Sequence, residues 1–201
     1  APAVLTFRVI DHGRGIPDEW ADRVFGEPSL PTPKLRSLAR KVTKGLKTER
    51  EKIEALFYFV QEKVRYISAD LDRGGIHPHQ AQDVWNNRYG DCKDQTMLLV
   101  ALLRSVGIKA QPALVNVLGE GTLNVHVPSL HFAHMITYVP NAESEIWLDT
   151  SGDTTHFPGL DWTAEGRWAF LIDGAGGKLL KTPESAPTDN QVRFRIDFDF
   201  E

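Results

Sequence analysis

The hydrophobic positions of this chain follow a helical period in the first half and an alternating period in the second. Between residues 49 and 64, apolar side chains recur every three or four positions and share one helical face. They are Ile53, Leu56, Phe57, Val60 and Val64. Thr48 and Glu51 form the signature of a capping box at the start of this segment. The pattern therefore predicts an amphipathic helix that begins after Thr48.

Three further helices are predicted from similar signals. One runs over 33–44, with Pro33 in its first turn and Gly45 at its end, and a short one covers 81–86. The third follows Cys92 and is apolar on nearly all sides from Met97 to Val106, which is typical of a buried helix. Gly107 is expected to end it.

After Gly107 the apolar period changes from helical spacing to alternation. Four stretches alternate in this way and are predicted to be strands: "PALVNVL" (112–118), "HFAHMITYV" (131–139), "EIWLDT" (145–150) and "RWAFLID" (167–173). Helices followed by antiparallel-type strands predict an α+β fold, in which the buried helix packs on an antiparallel sheet.

The two ends of the chain are predicted to lie outside this main unit. Residues 1–32 read as a strand-and-turn extension or a domain-boundary remnant, and 33–182 as the main domain. Residues 183–201 read as a linker and a strand, because "QVRFRIDFDF" alternates cleanly. That strand is either an edge strand or the start of a further β domain in a longer chain.

Composition excludes several classes of function. The 201 residues are 41% hydrophobic and 25% charged, which is typical of a globular domain. A formal net charge of −4 is not the basic footprint of a nucleic-acid-binding protein. No apolar run reaches the roughly 20 residues of a transmembrane helix. A single cysteine, Cys92, excludes an intrachain disulfide.

Cys92 lies in "RYGDCKD", where a turn leads into the predicted buried helix. Unpaired backbone N–H groups and the macrodipole at a helix N-terminus favour a thiolate over a thiol. The same N–H groups can stabilise the oxyanion that forms when a carbonyl is attacked. Asp91 and Asp94 would oppose thiolate formation, so we expect them to cap the helix or bind basic residues instead. The position favours a nucleophile, although a lone cysteine can also be a small buried hydrophobe.

A nucleophilic cysteine needs a base and an orienting group, and both occur downstream. His134 lies in one predicted strand and Asp149 in the next, across a short hairpin. Adjacent antiparallel strands can place the two side chains together. Either residue could instead be structural, His134 as a hydrogen-bonded strand residue and Asp149 as the cap of a turn.

These segments resemble the transglutaminase-like superfamily, most closely its bacterial domains within larger exported proteins. The resemblance runs through "NRYGDCKDQTMLLVALLRSVGIKAQPALVNV", "FAHMITYV" and "WLDTS", and spans 33–172. It implies a papain-like α+β fold with a Cys92–His134–Asp149 triad, and thiol-dependent acyl transfer on peptide or glutamine-type amides, by hydrolysis or transamidation. It also implies a periplasmic or exported location and no metal or organic cofactor, although calcium regulates some relatives.

The choice of histidine depends on the resemblance. His131 and His134 are three residues apart, so on a strand they face opposite sides of the sheet, and periodicity does not distinguish them. The family's spacing favours His134, and we expect His126, His131 and His156 to be loop or rim residues.

Two aromatic residues upstream of the cysteine are candidates for a supporting role. Trp85 and Tyr66 lie where related thiol enzymes present a second oxyanion donor or a substrate wall. The alternative is that each fills the core between helices.

A second resemblance concerns the N-terminus. "FRVIDHGRGIPDEWADRVFGEP" (7–28) is similar to the adenine-contacting segment of histidine-kinase ATPase domains, with Asp11 as the adenine ligand. That family's asparagine-bearing helix and glycine-rich lid are both missing from the sequence, so we expect no functional ATP site.

The sequence is also compatible with two other functions, a metal site and a non-catalytic binding module. His77 and His79, with His126, His131, His134 and Asp149, could supply metal ligands, but no H-E-x-x-H motif occurs and one cysteine cannot build a multi-thiolate zinc site. A transglutaminase-like fold can also serve as a weakly active or inactive binding or scaffold module. In this chain all three triad positions are occupied, which favours an enzyme acting on a peptide or protein substrate.

Overall fold

The computed structural model describes residues 22–68, 77–117, 132–140, 145–172, 178–186 and 195–196. Within these ranges, a short π-helix (Asp22–Gly26) and a short 3-10 helix (Glu27–Ser29) precede the α-helices. The helices are α1 (Pro33–Val42), α2 (Glu49–Lys63), α3 (Ala81–Asn87) and α4 (Cys92–Ser105). The strands are β1 (Arg65–Tyr66), β2 (Tyr89–Gly90), β3 (Gln111–Val115), β4 (His134–Val139), β5 (Ile146–Leu148), β6 (Trp168–Leu171) and β7 (Lys178–Lys181), and a 3-10 turn (Trp162–Ala164) precedes β6.

The capping box predicted for α2 is present. The Thr48 hydroxyl accepts the Glu51 N–H at 3.1 Å, and the Glu51 carboxylate accepts the Thr48 N–H at 2.8 Å. The five apolar residues of its predicted face are all buried, from Ile53 at 0% to Val64 at 2% exposure. The apolar face of the helix therefore packs in the core, and its polar face is exposed to solvent.

Helix α4 is the centre of the helical layer. Every side chain from Lys93 to Leu103 is buried, as the apolar pattern predicts for the Met97–Leu103 part. Gly107 follows the helix with φ +82, a left-handed conformation that favours glycine, and Gly45 does the same after α1 with φ +88. Helix α1 ends at Val42 and not at Lys44, because Thr43 already leaves the helical region as its C-cap.

Five strands form an antiparallel sheet in the order β5-β4-β3-β6-β7. The four predicted strands appear as β3 to β6, each shorter than its apolar stretch. Strand β7 was missed, because "KLLK" is polar at both ends and Leu179 alone is buried among its four residues. Strand β4 pairs with β3, where His134 lies opposite Val115, and with β5, where Thr137 lies opposite Leu148.

Apolar side chains pack on both faces of this sheet. The first cluster joins the four helices to Val139, Ile146 and Leu148 of the sheet. A second cluster, which includes Ile136 and Trp147, packs with residues of β3 and β6. Alternating strand residues therefore enter different clusters, which is the reason for the period of two. In the part of the chain described, no helix is long and apolar enough to cross a membrane.

A third, smaller cluster connects the N-terminal turn to the sheet. Val24 and Phe25 pack with Met97 and Met135, and Cys92 lies against this group. Arg104 of α4 also donates to the Ser29 hydroxyl at 2.8 Å. Residues 22–29 thus pack on the main unit. The strand expected near the start of the 1–32 extension and Asp11 of the ATPase-like segment lie outside the described residues. The strand predicted at 191–200 also lies outside them, apart from residues 195–196, which are not in a strand.

Candidate active site

The first turn of α4 holds Cys92 in a defined position. Asp91 is the N-cap, and its carboxylate accepts the N–H groups of Lys93 at 3.1 Å and Asp94 at 3.2 Å. The Lys93 ammonium binds the other oxygen of the same carboxylate. The expectation that Asp91 caps the helix and binds a basic residue is confirmed. Both carboxylate oxygens of Asp91 are bonded to these partners.

Asp94 connects this turn to the preceding chain. Its carboxylate accepts the Asp91 N–H at 3.4 Å, completing a capping box, and also accepts the His79 backbone N–H at 2.8 Å. The His79 ring nitrogen Nδ1 lies 3.0 Å from the same carboxylate. A Cβ on Gly90 would lie 2.6 Å from the Asp94 Cβ, so the glycine of "YGDCKD" is required by close approach.

The parallel pairing of β1 with β2, over two residue pairs, brings the chain after α2 beside the segment that precedes Cys92. Arg65 lies opposite Tyr89 and Tyr66 opposite Gly90 in the β1–β2 pair. The Ile67 N–H donates to the Gly90 carbonyl at 3.0 Å. Tyr66 is thereby positioned next to the segment that leads into Cys92.

The start of β4 is held against α4 one turn after Cys92. The Thr96 hydroxyl donates to the carbonyl of Met135 at 3.1 Å. His134, the first residue of β4, lies next to Met135 and so at the level of the helix start. Its Nε2 lies 2.8 Å from Oδ2 of Asp149, which directly follows β5. The hairpin geometry thus joins the predicted histidine and carboxylate.

The thiol completes this group. The Cys92 side chain lies close enough to the His134 ring to help raise the pKa of the imidazole, and Nε2 of that ring faces Asp149. Burial by itself lowers the pKa of His134, but the hydrogen bonds and charges of Asp149 and Cys92 outweigh burial and raise that pKa to about 10. The imidazole is therefore held in its charged form beside the buried Asp149 carboxylate.

Asp149 is 2% exposed, so its charge depends on hydrogen bonds. Its Oδ1 accepts the Ser151 N–H at 3.0 Å and the Ser151 hydroxyl at 2.6 Å, while Oδ2 faces His134. Burial raises the pKa of Asp149, and the contacts with His134 and Ser151 reverse this and lower it. Asp149 thus both faces the histidine and caps the turn that follows it, so the two alternatives left open by the sequence occur together.

The two upstream aromatic residues have different surroundings. Burial first, and then the charges of Cys92, Asp91 and Asp149, raise the pKa of Tyr66, and a hydrogen bond from Ser68 opposes this. Tyr66 is 41% exposed, so it borders the site from the solvent side. Trp85 packs against the first core cluster, with its ring 5.1 Å from Phe59 and under the Arg88 guanidinium. These are the contacts of a helix-packing aromatic.

The sequence predicts neither Ser151 nor the contact of His79 with Asp94, because His79 is only a candidate metal ligand there. The signal for Ser151 was available, because Asp followed two residues later by Ser is the pattern of a side-chain-capped turn. His79 offered no signal, since its carboxylate partner is 15 residues away. Among the described residues, no group of three or more histidine, cysteine or acidic side chains is arranged to hold a metal ion. His126 and His131 lie outside those residues.

Solved structures with a similar fold were found at low sequence identity. A candidate protease from Parabacteroides distasonis has 14% identity and a TM-score of 0.62, covering 83% of this chain and 31% of its own. EGTA-treated LapG from Legionella pneumophila has 16% identity and a TM-score of 0.51, covering 83% of this chain and 87% of LapG. A candidate cysteine protease from Cytophaga hutchinsonii has 22% identity and a TM-score of 0.46, covering 63% and 42%.

The chain thus spans less than half the length of two of these three proteins. No curated protein matches it. A family model, described as the transglutaminase-like superfamily, matches residues 36–163, which is more than half of the chain and includes the cysteine, histidine and aspartate segments. The chain therefore belongs to the transglutaminase-like superfamily.

Proposed function

We propose that this domain is a thiol-dependent acyltransferase that acts on peptide or glutamine-type amides. Cys92 is the nucleophile, His134 the general acid and base, and Asp149 the group that orients the imidazole. The observation that carries the proposal is the continuous contact from thiol to ring to buried carboxylate, with 2.8 Å between Nε2 of His134 and Oδ2 of Asp149.

The proposed reaction has two steps. The Cys92 thiolate attacks the amide carbonyl, and a C–S bond forms. As the tetrahedral intermediate collapses, the C–N bond breaks, and the amine leaves with the proton carried by His134. Water or a second amine then attacks the thioester. His134 takes its proton, the C–S bond breaks, and the thiolate is restored. Water gives hydrolysis and an amine gives transamidation.

The helix cap supports a site for the oxyanion. Asp91 occupies the N–H groups of Lys93 and Asp94, and among the described residues no acceptor faces the N–H of Cys92 itself. This first N–H of α4 points from a helix N-terminus, where the macrodipole favours negative charge. It is the natural donor to the oxygen of an attacked carbonyl.

The test uses iodoacetamide and the single thiol. In wild type, alkylation of Cys92 should be faster than that of free cysteine near neutral pH, because a charged imidazole beside a thiol favours its reactive form. In His134→Ala the rate should fall at neutral pH and rise as an ordinary thiol ionises at about pH 8.5. Cys92→Ala should lose both labelling and any amine incorporation into casein.

The outcomes separate an enzyme from a binding module. A folded protein whose thiol resists alkylation, with or without His134, would support a scaffold role. Amine incorporation or amide hydrolysis that persists in Cys92→Ala would rule out thiol catalysis. His156→Ala, an exposed histidine in the loop after β5, is the matched control and should leave the alkylation rate unchanged.

A further inference from the structure

A groove of about 540 Å³ lies beside the candidate active site. It reaches the site through two of its lining residues. Burial, and then the charges of the nearby Cys92 and Asp149, raise the pKa of Tyr66, and Ser151 donates directly to Asp149. An acyl substrate bound at the thiol would therefore have a neighbouring part within this groove.

The charges in the groove are unequal. Arg65 and Arg88 both line it, and both are exposed. Lys63 and Glu62 also line it but face each other, with Nζ 3.6 Å from Oε2. Asp153 is then the one remaining acid among the lining residues. Two arginines against one carboxylate make the groove locally positive in a chain with a formal net charge of −4.

The two arginines are held in place by the backbone. The Arg65 N–H donates to the Arg88 carbonyl at 2.8 Å, which keeps the residues side by side. The Arg88 guanidinium carbon lies 3.0 Å from the centroid of the Trp85 ring, so that side chain is stacked. Arg88 also has φ 64, a left-handed conformation that glycine adopts more easily, and it is the one non-glycine residue with positive φ among those described.

We propose that this groove binds a carboxylate of the acyl substrate, so that the preferred substrates are peptides with an acidic group next to the amide that is attacked. The proposal rests on the thiol function above. A guanidinium is planar and offers parallel N–H donors, which match the two oxygens of a carboxylate. Arg88, already stacked on Trp85, loses little freedom when it binds such a group.

The experiment uses two disulfide probes of similar shape and different charge. Dithiodipyridine is neutral and dithiobis(nitrobenzoate) is anionic, and both report the reaction of Cys92, since the chain has no other thiol. Arg65→Gln and Arg88→Gln should each lower the rate of the anionic probe by about three- to tenfold, the effect of one charge at close range. The neutral probe should change by less than about twofold. Asp153→Asn should raise the anionic rate.

Arg40→Gln is the matched control, because Arg40 is exposed on α1 and the substitution changes net charge equally. Its ratio of anionic to neutral rates should equal that of wild type. Equal ratios in Arg65→Gln, Arg88→Gln and Arg40→Gln would overturn the proposal. If Arg88→Gln does not fold, Arg65→Gln and the opposite change in Asp153→Asn still decide it.

The two proposals fail differently. If the thiol function is wrong, the neutral probe reacts with Cys92 no faster than with free cysteine and is indifferent to His134→Ala. If the groove proposal is wrong, the neutral probe reacts rapidly with Cys92 and this rate depends on His134. The ratio of anionic to neutral rates is then unchanged by Arg65→Gln and Arg88→Gln. Adding salt should reduce the wild-type ratio toward that of the arginine variants, because exposed charges are screened.

Discussion

The two ends of α4 are built from opposite kinds of residue. The first turn carries Cys92, Lys93 and Asp94, and the two charged side chains are buried but bonded to partners. From Met97 to Leu103 every side chain is apolar and 0% exposed. One helix thus has a polar end, which carries the candidate nucleophile, and an apolar body.

The difference teaches how the site is positioned. The apolar body is surrounded by α1, α2, α3 and β4, and burying this surface is the main source of folding free energy. Burial of the polar end contributes little folding free energy, but the packing of the apolar body fixes where the polar end lies. Stability and chemistry should therefore respond to substitutions at different ends.

The largest effect is expected when Asp149 loses its charge. In Asp149→Asn the imidazolium has no carboxylate beside it, so acyl transfer should fall by about 10²–10⁴-fold. Thiol alkylation at neutral pH should fall only to the rate of an ordinary thiol, because such a thiol is still partly ionised there. The free energy of unfolding should change by less than about 2 kcal/mol, because the imidazole can lose its proton and the amide can still bond to Ser151.

The measurements are alkylation kinetics and urea unfolding of the same protein. Asp83→Asn, on the exposed side of α3, is the control for the same chemical change and should alter neither. An Asp149→Asn protein that is unfolded in buffer would show that the polar end also holds the fold together, and the contrast between the ends of α4 would be lost.

A cavity in the apolar body should give the opposite result. Leu99→Ala removes a side chain that is 0% exposed and should lower the free energy of unfolding by about 2–5 kcal/mol. The alkylation rate, corrected for the folded fraction, should stay within about twofold of wild type. Leu30→Ala, at a residue that is 58% exposed, should change stability by less than about 0.5 kcal/mol. A large loss of thiol reactivity in folded Leu99→Ala would contradict this separation.

The body of α4 and its cap could be predicted from sequence because both are local. Asp91 as N-cap and the apolar run after it are patterns within one helix, and the alternating strands are patterns within single strands. The Thr48–Glu51 capping box follows the same rule.

The surroundings of the thiol could not be predicted in this way. Tyr66 reaches the site through a two-residue parallel pair with Gly90, and such a pair leaves no periodic signal in either segment. The stacking of Arg88 on Trp85 depends on one left-handed residue after α3, which composition does not reveal. The selection of His134 over His131 came from family spacing, since strand periodicity treats the two alike.

The smallest expected effect is the pH dependence of the His134–Asp149 pair, best measured in Cys92→Ser, where no thiol titrates. We expect Asp149 to raise the pKa of His134 above its ordinary 6.5 in this background, because its hydrogen bond and charge remain. Because the pKa of His134 is higher in the folded state, its protonation stabilises the fold, and this contribution is complete at pH values below the ordinary pKa of 6.5. The contribution is lost as the pH rises through the pKa of the folded state. The stability lost in His134→Gln should therefore be greatest near pH 6 and shrink toward pH 10. Adding Asp149→Asn should flatten that decline, because the carboxylate causes it.

A His134→Gln effect that stays constant or grows with pH would mean that the ring and the carboxylate are not charged together, and the polar end of α4 would then lack the electrostatic character that sets it apart from the body.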